Sequence, residues 1–358
     1  MAYPIASREL KGSMGGHDST PLVIGQETRM RMVLLTSLAC LICPAAQGEY
    51  PELTALKESS RKVLAGYAEK FAADDTKFEG LVKLGEALKA VEDPAKADVA
   101  KLTYQSKAYW RAVLEMTPQD SSVLLAQAHL HAARGERDYA DAYFLLASVT
   151  MDKSRREELA TYTRLRDVLN ARAGREIERG VKLHDMGHYT KAIAMYDGVF
   201  AEYPCCSRAY YEKGYSYLMM RKNDPAMKQR ADEMYAECRR LDPFWWKAYQ
   251  GGGPAVVKKL QICLEKVRPF VSGKQRSKAD FAAFAEGCEA MELYPFAVHA
   301  RWKLAMMDPD RMREHVTKFL DLIEKCGCED PAFFRRQFQF DDSAPAKQPQ
   351  TRPPRQEK

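Results

Sequence analysis

Residues 180–204 (GVKLHDMGHYTKAIAMYDGVFAEYP) constrain what this chain can fold into more than any other stretch. They read as two helices joined by a tight turn. Gly180 is small enough to let a neighbouring helix approach, and Leu183 follows one turn later. Gly187 and Tyr189 make the turn. Ala192, Tyr196 and Val199 then recur at i, i+4 and i+7 on one helical face, and Pro204 closes the unit.

The pattern recurs along the chain. Measured from Pro118, residues 119–152 close after 34 residues, with Ala128 and Gly135 as the small packing and turn residues. Ala140, Phe144 and Ala147 supply the second-helix face of that unit. Residues 207–245 repeat the theme with Tyr210, Gly214 and Tyr217, then Ala231, Tyr235 and Cys238, around a turn lengthened at Asn223-Asp224-Pro225. A degenerate copy covers residues 278–310, where Arg301 stands in the place of the second-helix aromatic.

This small–small–aromatic–small spacing resembles the tetratricopeptide repeat, a helix–turn–helix unit of 34 residues. The clearest copies are residues 119–152, 173–206 and 207–245. The resemblance implies an all-α fold: a helical-hairpin solenoid wound into a right-handed superhelix, with some repeats degenerate. It also implies a job class, since such arrays bind other proteins in a concave groove lined by their first helices. Carried over by position, that groove holds Leu125, His129 and Ala132 in the first unit. Ile177, Val181, His184 and Asp185 take those places in the second, and Tyr211, Tyr215, Leu218 and Met219 in the third. The lining is apolar and aromatic. It lacks the lysine, asparagine and arginine set with which some members clamp a terminal carboxylate, so an extended or helical peptide segment is the expected guest.

Outside these units the spacing predicts helices over residues 52–73, 78–91 and 96–116, the last stopped by Thr117-Pro118. A helix over 155–169 interrupts the repeat period. Together these give a helical region over 49–250 and a second over 255–335 holding the one degenerate copy. Gly251-Gly252-Gly253-Pro254 reads as a hinge between them. Residues 341–358, with four prolines and no aliphatic side chain larger than alanine, read as a disordered tail.

At the other end, Arg29 and Arg31 precede the apolar run MVLLTSLACLICPAA and the small residues before Glu49. A basic flank, a short apolar core and a small-residue end make a signal peptide over residues 30–48. Residues 1–29 are then a non-native or disordered leader, and Glu49 starts the mature chain. The run is too short for a transmembrane anchor. The expected location is secreted or periplasmic; if the run is instead a buried helix, the chain is a cytosolic adaptor.

Two of the nine cysteines, Cys40 and Cys43, fall inside that run. The remaining seven match no zinc spacing. In an exported protein Cys326 and Cys328 are the expected redox pair, whereas Cys238 and Cys288 sit where cysteine serves as a small apolar core residue.

A net charge of +6, spread among both signs, makes no nucleic-acid footprint. His129 and His131 are two apart and do not share a helical face, and no metal motif, phosphate loop or nucleophile elbow is present. The sequence therefore points to a non-enzymatic protein-binding or assembly scaffold with no cofactor, no metal and a protein or peptide partner. The alternative from another class is an enzyme whose site lies within residues 244–274, with the repeats as a substrate platform.

Overall fold

The computed structural model describes residues 48–73, 78–116, 120–148, 153–220, 224–245, 247–249 and 277–338. The run up to Gln47 expected as a signal peptide, the expected hinge at Gly251–Pro254 and the expected tail at 341–358 lie outside them. Among the described residues every regular element is helical. In chain order these are α1 (Pro51–Ala72), α2 (Glu79–Lys89), α3 (Val99–Leu102), α4 (Lys107–Glu115), α5 (Ser122–Ala133) and α6 (Arg137–Ala147). They continue as α7 (Lys153–Asp185), α8 (Tyr189–Glu202), α9 (Ser207–Met220) and α10 (Pro225–Leu241). The C-terminal group is α11 (Lys278–Ala290), α12 (Tyr294–Met307), α13 (Met312–Lys325) and α14 (Pro331–Gln337).

Local chemistry sets many of these boundaries. Asp224 accepts a hydrogen bond from the Ala226 N–H with Pro225 at the first helical position of α10, and Asp330 with Pro331 does the same for α14. Ser277 and Asp280 form a reciprocal capping box at the start of α11.

Two boundaries differ from those expected. The helix expected over 96–116 is broken into a 3-10 turn, α3 and α4, because Asp98 and Ser106 each cap a new start. The break frees the Tyr104 carbonyl, which accepts the Trp110 indole N–H at 2.8 Å. The helix expected at 155–169 and the first helix of the Gly180 unit are one helix of 33 residues. No proline interrupts that stretch, and the helix continues through Gly174, which sits in open space.

Consecutive helices pack as hairpins: α1 with α2, α5 with α6, α7 with α8, α9 with α10, and α11 with α12. α8 also packs on α9 and α7 on α9, while α1 lies against α2, α5 and α7 together. The close approach read from Gly180 is real: a Cβ there would lie 2.5 Å from the Tyr196 ring of α8. One large core runs through both halves of the chain, and a smaller cluster of Tyr211, Ala231, Tyr235, Cys238 and Ala248 closes off α9 and α10. All of α5 is buried, as expected of a helix apolar on every side.

The six described cysteines are free thiols. Cys326 and Cys328, expected as a redox pair, are both buried, and burial pushes the Cys326 thiol up to about 12. Cys238 and Cys288 are fully enclosed among apolar neighbours.

Where α6, α7, α9 and α10 converge, Asp138 pairs with Arg137 and accepts the Ser207 hydroxyl at 2.6 Å, while Asp141 accepts from Tyr162 at 2.9 Å and from Arg166 at 3.1 Å. Asp242, just past α10, joins this group; its Oδ1 accepts the Phe244 N–H at 2.9 Å. Burial, with the Asp138 charge beside it, pushes the Asp242 carboxyl up to about 8. A carboxyl whose folded pKa lies above its unfolded value near 4 favours folding while protonated, so that contribution is lost as pH rises toward about 8. Asp242→Asn keeps the oxygen that accepts from Phe244. Its expected effect is a gain of roughly 2 kcal/mol over wild type at pH 9 and almost none at pH 4. Urea unfolding of both proteins across that range tests this; an equal difference at both ends would remove Asp242 from the account.

Candidate functional site

Eight of the eleven residues expected to line a groove lie on α7 and α9. Ile177 is buried in the core, Val181 and Met219 are half-buried, and Asp185 is exposed at the last position of α7. His184, Tyr211 and Tyr215 form a continuous ladder of rings. The His184 imidazole stacks on Tyr215 at 4.8 Å between centroids, and Tyr215 lies parallel to Tyr211 at 6.3 Å. Tyr211 in turn leans on Tyr235 of α10 at 5.8 Å and on Trp245 at 6.1 Å. The spacing of four between Tyr211 and Tyr215 places both on one face of α9, which makes the ladder.

Hydrogen bonds and charges fix it further. Ser216 Oγ lies 2.8 Å from His184 Nδ1, and the Lys247 ammonium sits 5.8 Å above the Tyr211 ring. Burial pushes the His184 pKa down, opposed by the Asp185 carboxylate. Ser216 is fully buried, so its hydroxyl anchors the imidazole and offers no nucleophile to a substrate. Glu212, also on α9, is pushed up by burial and drawn back by Arg208 and Lys247.

The ladder is rigid but not sealed. Tyr211 is 7% exposed and belongs to the core, whereas Tyr215 is 37% exposed and Met186, just beyond α7, is 62% exposed. An exposed thioether stands close in sequence to an aromatic surface whose rings are already ordered. Such a surface can take a partner side chain with little further loss of rotamer freedom.

The other three expected residues are not on this surface. Leu125, His129 and Ala132 lie on α5, where every residue is buried, and of the three only His129 reaches a concavity, a separate cleft walled by Leu56 and Ser60 of α1 and Tyr162 of α7. Their enclosure follows from α1, which packs across both α5 and α7. His129 Nε2 lies 2.8 Å from Glu158 Oε1 of α7, and Tyr67 of α1 donates to Glu158 Oε2 at 2.9 Å. Burial raises the Glu158 pKa, but the hydrogen bonds from His129 and Tyr67 and the Arg155 charge outweigh it, and the net shift is downward. His129 thus ties three helices together. Most of the region named for the alternative enzyme, residues 244–274, lies outside the described residues.

A second concavity had no counterpart in the sequence reading. It is a cleft of about 380 Å³ between the α5–α6 turn and the α11–α12 turn, reached also by Arg240 of α10 and Lys325 of α13. His131 and Glu136 stand on one side and Glu292 and Phe296 on the other. Its members come from five separated stretches, so no local motif announces it. The one local signal was Glu292, a non-glycine residue at a helix C-terminal position where the α5–α6, α7–α8 and α13–α14 turns have Gly135, Gly187 and Gly327.

No helix among the described residues is long and apolar enough to cross a membrane. The chain matches no family model, no curated protein and no solved structure.

Proposed function

We propose that the chain is a non-enzymatic protein-binding or assembly scaffold of tetratricopeptide type, and that the surface formed by the end of α7 and by α9 receives a segment of a partner protein. The proposal includes a right-handed superhelical array, some of its repeats degenerate, and export directed by the run at about residues 30–48. Support for the array comes from the order α7–α8–α9–α10, in which neighbouring helices pack in sequence and the first helices of the two hairpins also touch. The observation that carries the binding reading is Tyr215. Its ring is held parallel to His184 and Tyr211 while more than a third of the residue stays open to solvent. A rigid aromatic with a polar tip is a common energetic centre of a protein interface.

The test is a crosslinking pull-down from native extract with wild type and Tyr215→Ala. Tyr211 is left intact because it packs against Tyr235 and Trp245. Truncation of a central interface tyrosine costs about 2 kcal/mol, roughly a 30-fold loss of affinity. The captured partner should therefore disappear with Tyr215→Ala while circular dichroism and melting temperature stay near wild type. Capture of the same partners by both proteins would sink the assignment of this surface. N-terminal sequencing of the native protein checks export, with Glu49 the expected first residue.

A further inference from the structure

We propose that the cleft between the α5–α6 and α11–α12 turns binds a small zwitterion of amino-acid type, with its ammonium toward Glu292 and its carboxylate toward Lys325. This site is independent of the Tyr215 surface.

Three observations point there. The first is an incomplete hydrogen-bond set. His131 is buried, its ring stacked on Tyr139 at 5.0 Å and on Tyr143 at 5.3 Å. Its Nδ1 lies 2.8 Å from Glu136 Oε2. Burial raises the Glu136 pKa, but the His131 hydrogen bond and the His131 and Arg134 charges lower it by more, so Glu136 is a carboxylate and can only accept. The proton on the bond therefore belongs to Nδ1. Nε2 is left buried with no partner among the described residues. Buried polar atoms are rarely left so, and a polar group of a ligand in the cleft supplies the missing partner.

The second is backbone strain at the cleft wall. Four hairpin turns share one pattern, in which an N–H bonds the carbonyl five residues back: Glu136 to His131, His188 to Leu183, Cys328 to Ile323 and Leu293 to Cys288. In three of them the preceding residue is Gly135, Gly187 or Gly327, at φ of 80°, 79° and 75°. In the fourth it is Glu292 at φ 61°. A side chain in this left-handed region meets a steric penalty that glycine avoids. Glu292 is exposed, lines the cleft and makes no ion pair among the described residues. Strain retained beside a cavity is the pattern found at ligand sites.

The third is charge. Lys325 lines the same cleft, with its ammonium 5.4 Å from the Tyr294 ring centre and no carboxylate partner among the described residues. An unpaired cation and an unpaired anion thus share one cleft without reaching each other. A phosphate-like anion would meet Glu136 and Glu292, and a purely apolar guest would leave His131 Nε2 unpartnered. A zwitterion satisfies both charges, and its side chain can lie on the aromatic wall of Tyr143 and Phe296.

The test is calorimetric titration and thermal shift of the full chain with L-leucine, L-phenylalanine and L-tyrosine, and with the amine and the carboxylic acid corresponding to each. At least one amino acid should bind, with both of its half-analogues at least about tenfold weaker. Lys325→Gln should lose about tenfold in affinity. Glu292→Gly should lose about as much while raising the melting temperature of the unliganded protein by about 2 °C, which separates lost binding from failed folding. Absence of binding at about 10 mM, an acid analogue binding as tightly as its amino acid, or unchanged affinity in both variants would each overturn the proposal.

Discussion

Alanine at Gly85 should destabilise the protein by about 3 kcal/mol, whereas alanine at Gly174 should stabilise it by roughly 0.5–1 kcal/mol. Both glycines lie within helices, and the substitution is chemically the same. What differs is the space beside them. A Cβ at Gly85 would stand 2.2 Å from the backbone nitrogen of Ala72 and 2.7 Å from the carbonyl carbon of Phe71. These are main-chain atoms at the end of α1, and no flexible side chain can give way. α2 would have to withdraw from α1, loosening Leu81, Leu84 and Leu88 from the core. The better helix propensity of alanine offsets only about 1 kcal/mol of that cost. At Gly174 nothing lies within 4 Å, so the propensity gain stands alone. Urea unfolding reads both, and the shift should lie in the midpoint and not in the slope. A Gly85→Ala protein as stable as wild type would mean that α1 and α2 do not meet at this glycine.

The same contrast explains how far the sequence could be read. Gly180 was legible because its aromatic partner, Tyr196, stands one hairpin away and the intervening turn carries its own glycine. The length of α7 was not, because a helix that runs through an expected repeat boundary is marked only by the lack of a stop signal. α5 misled for another reason. Its sequence, SVLLAQAHLHAA, is apolar on every side, and such a helix belongs inside a fold rather than along a groove. Leu125 and His129 were assigned by position in a repeat, and that pattern does not record α1 lying across α5 and α7. The ladder of His184, Tyr215 and Tyr211 was within reach, since i, i+4 spacing on α9 and the last turn of α7 are local facts. The cleft was not, since His131, Arg240, Glu292 and Lys325 become neighbours only once the two halves of the chain pack.

That packing contains a buried histidine with a strong pH signature. His299 of α12 is fully enclosed, with its Nε2 2.7 Å from the Tyr109 hydroxyl of α4. The Tyr109 proton goes to Gln127 Oε1, so the hydroxyl must accept from His299, and the imidazole carries its proton on Nε2. Burial and the neighbouring Lys303 ammonium push the His299 pKa down to about 3. In the unfolded chain the value returns to about 6.5. A group depressed on folding stabilises the native state above its unfolded pKa and loses that contribution as pH falls toward the folded one. Between pH 6.5 and 4.5 the wild type should lose about 2–3 kcal/mol through this residue alone. Glutamine at position 299 can still donate to Tyr109 but cannot titrate. His299→Gln should therefore be less stable than wild type by about 1–2 kcal/mol at pH 7.5 and should close that gap, or reverse it, by pH 4.5. Other groups also respond to acid: Glu136 and Glu158 lose native interactions as they protonate, and burial depresses His315 and His184 as well. All of them are present in both proteins, so the difference between the two unfolding curves isolates position 299. Parallel pH profiles for wild type and His299→Gln would show that His299 is not held neutral between α4 and α12.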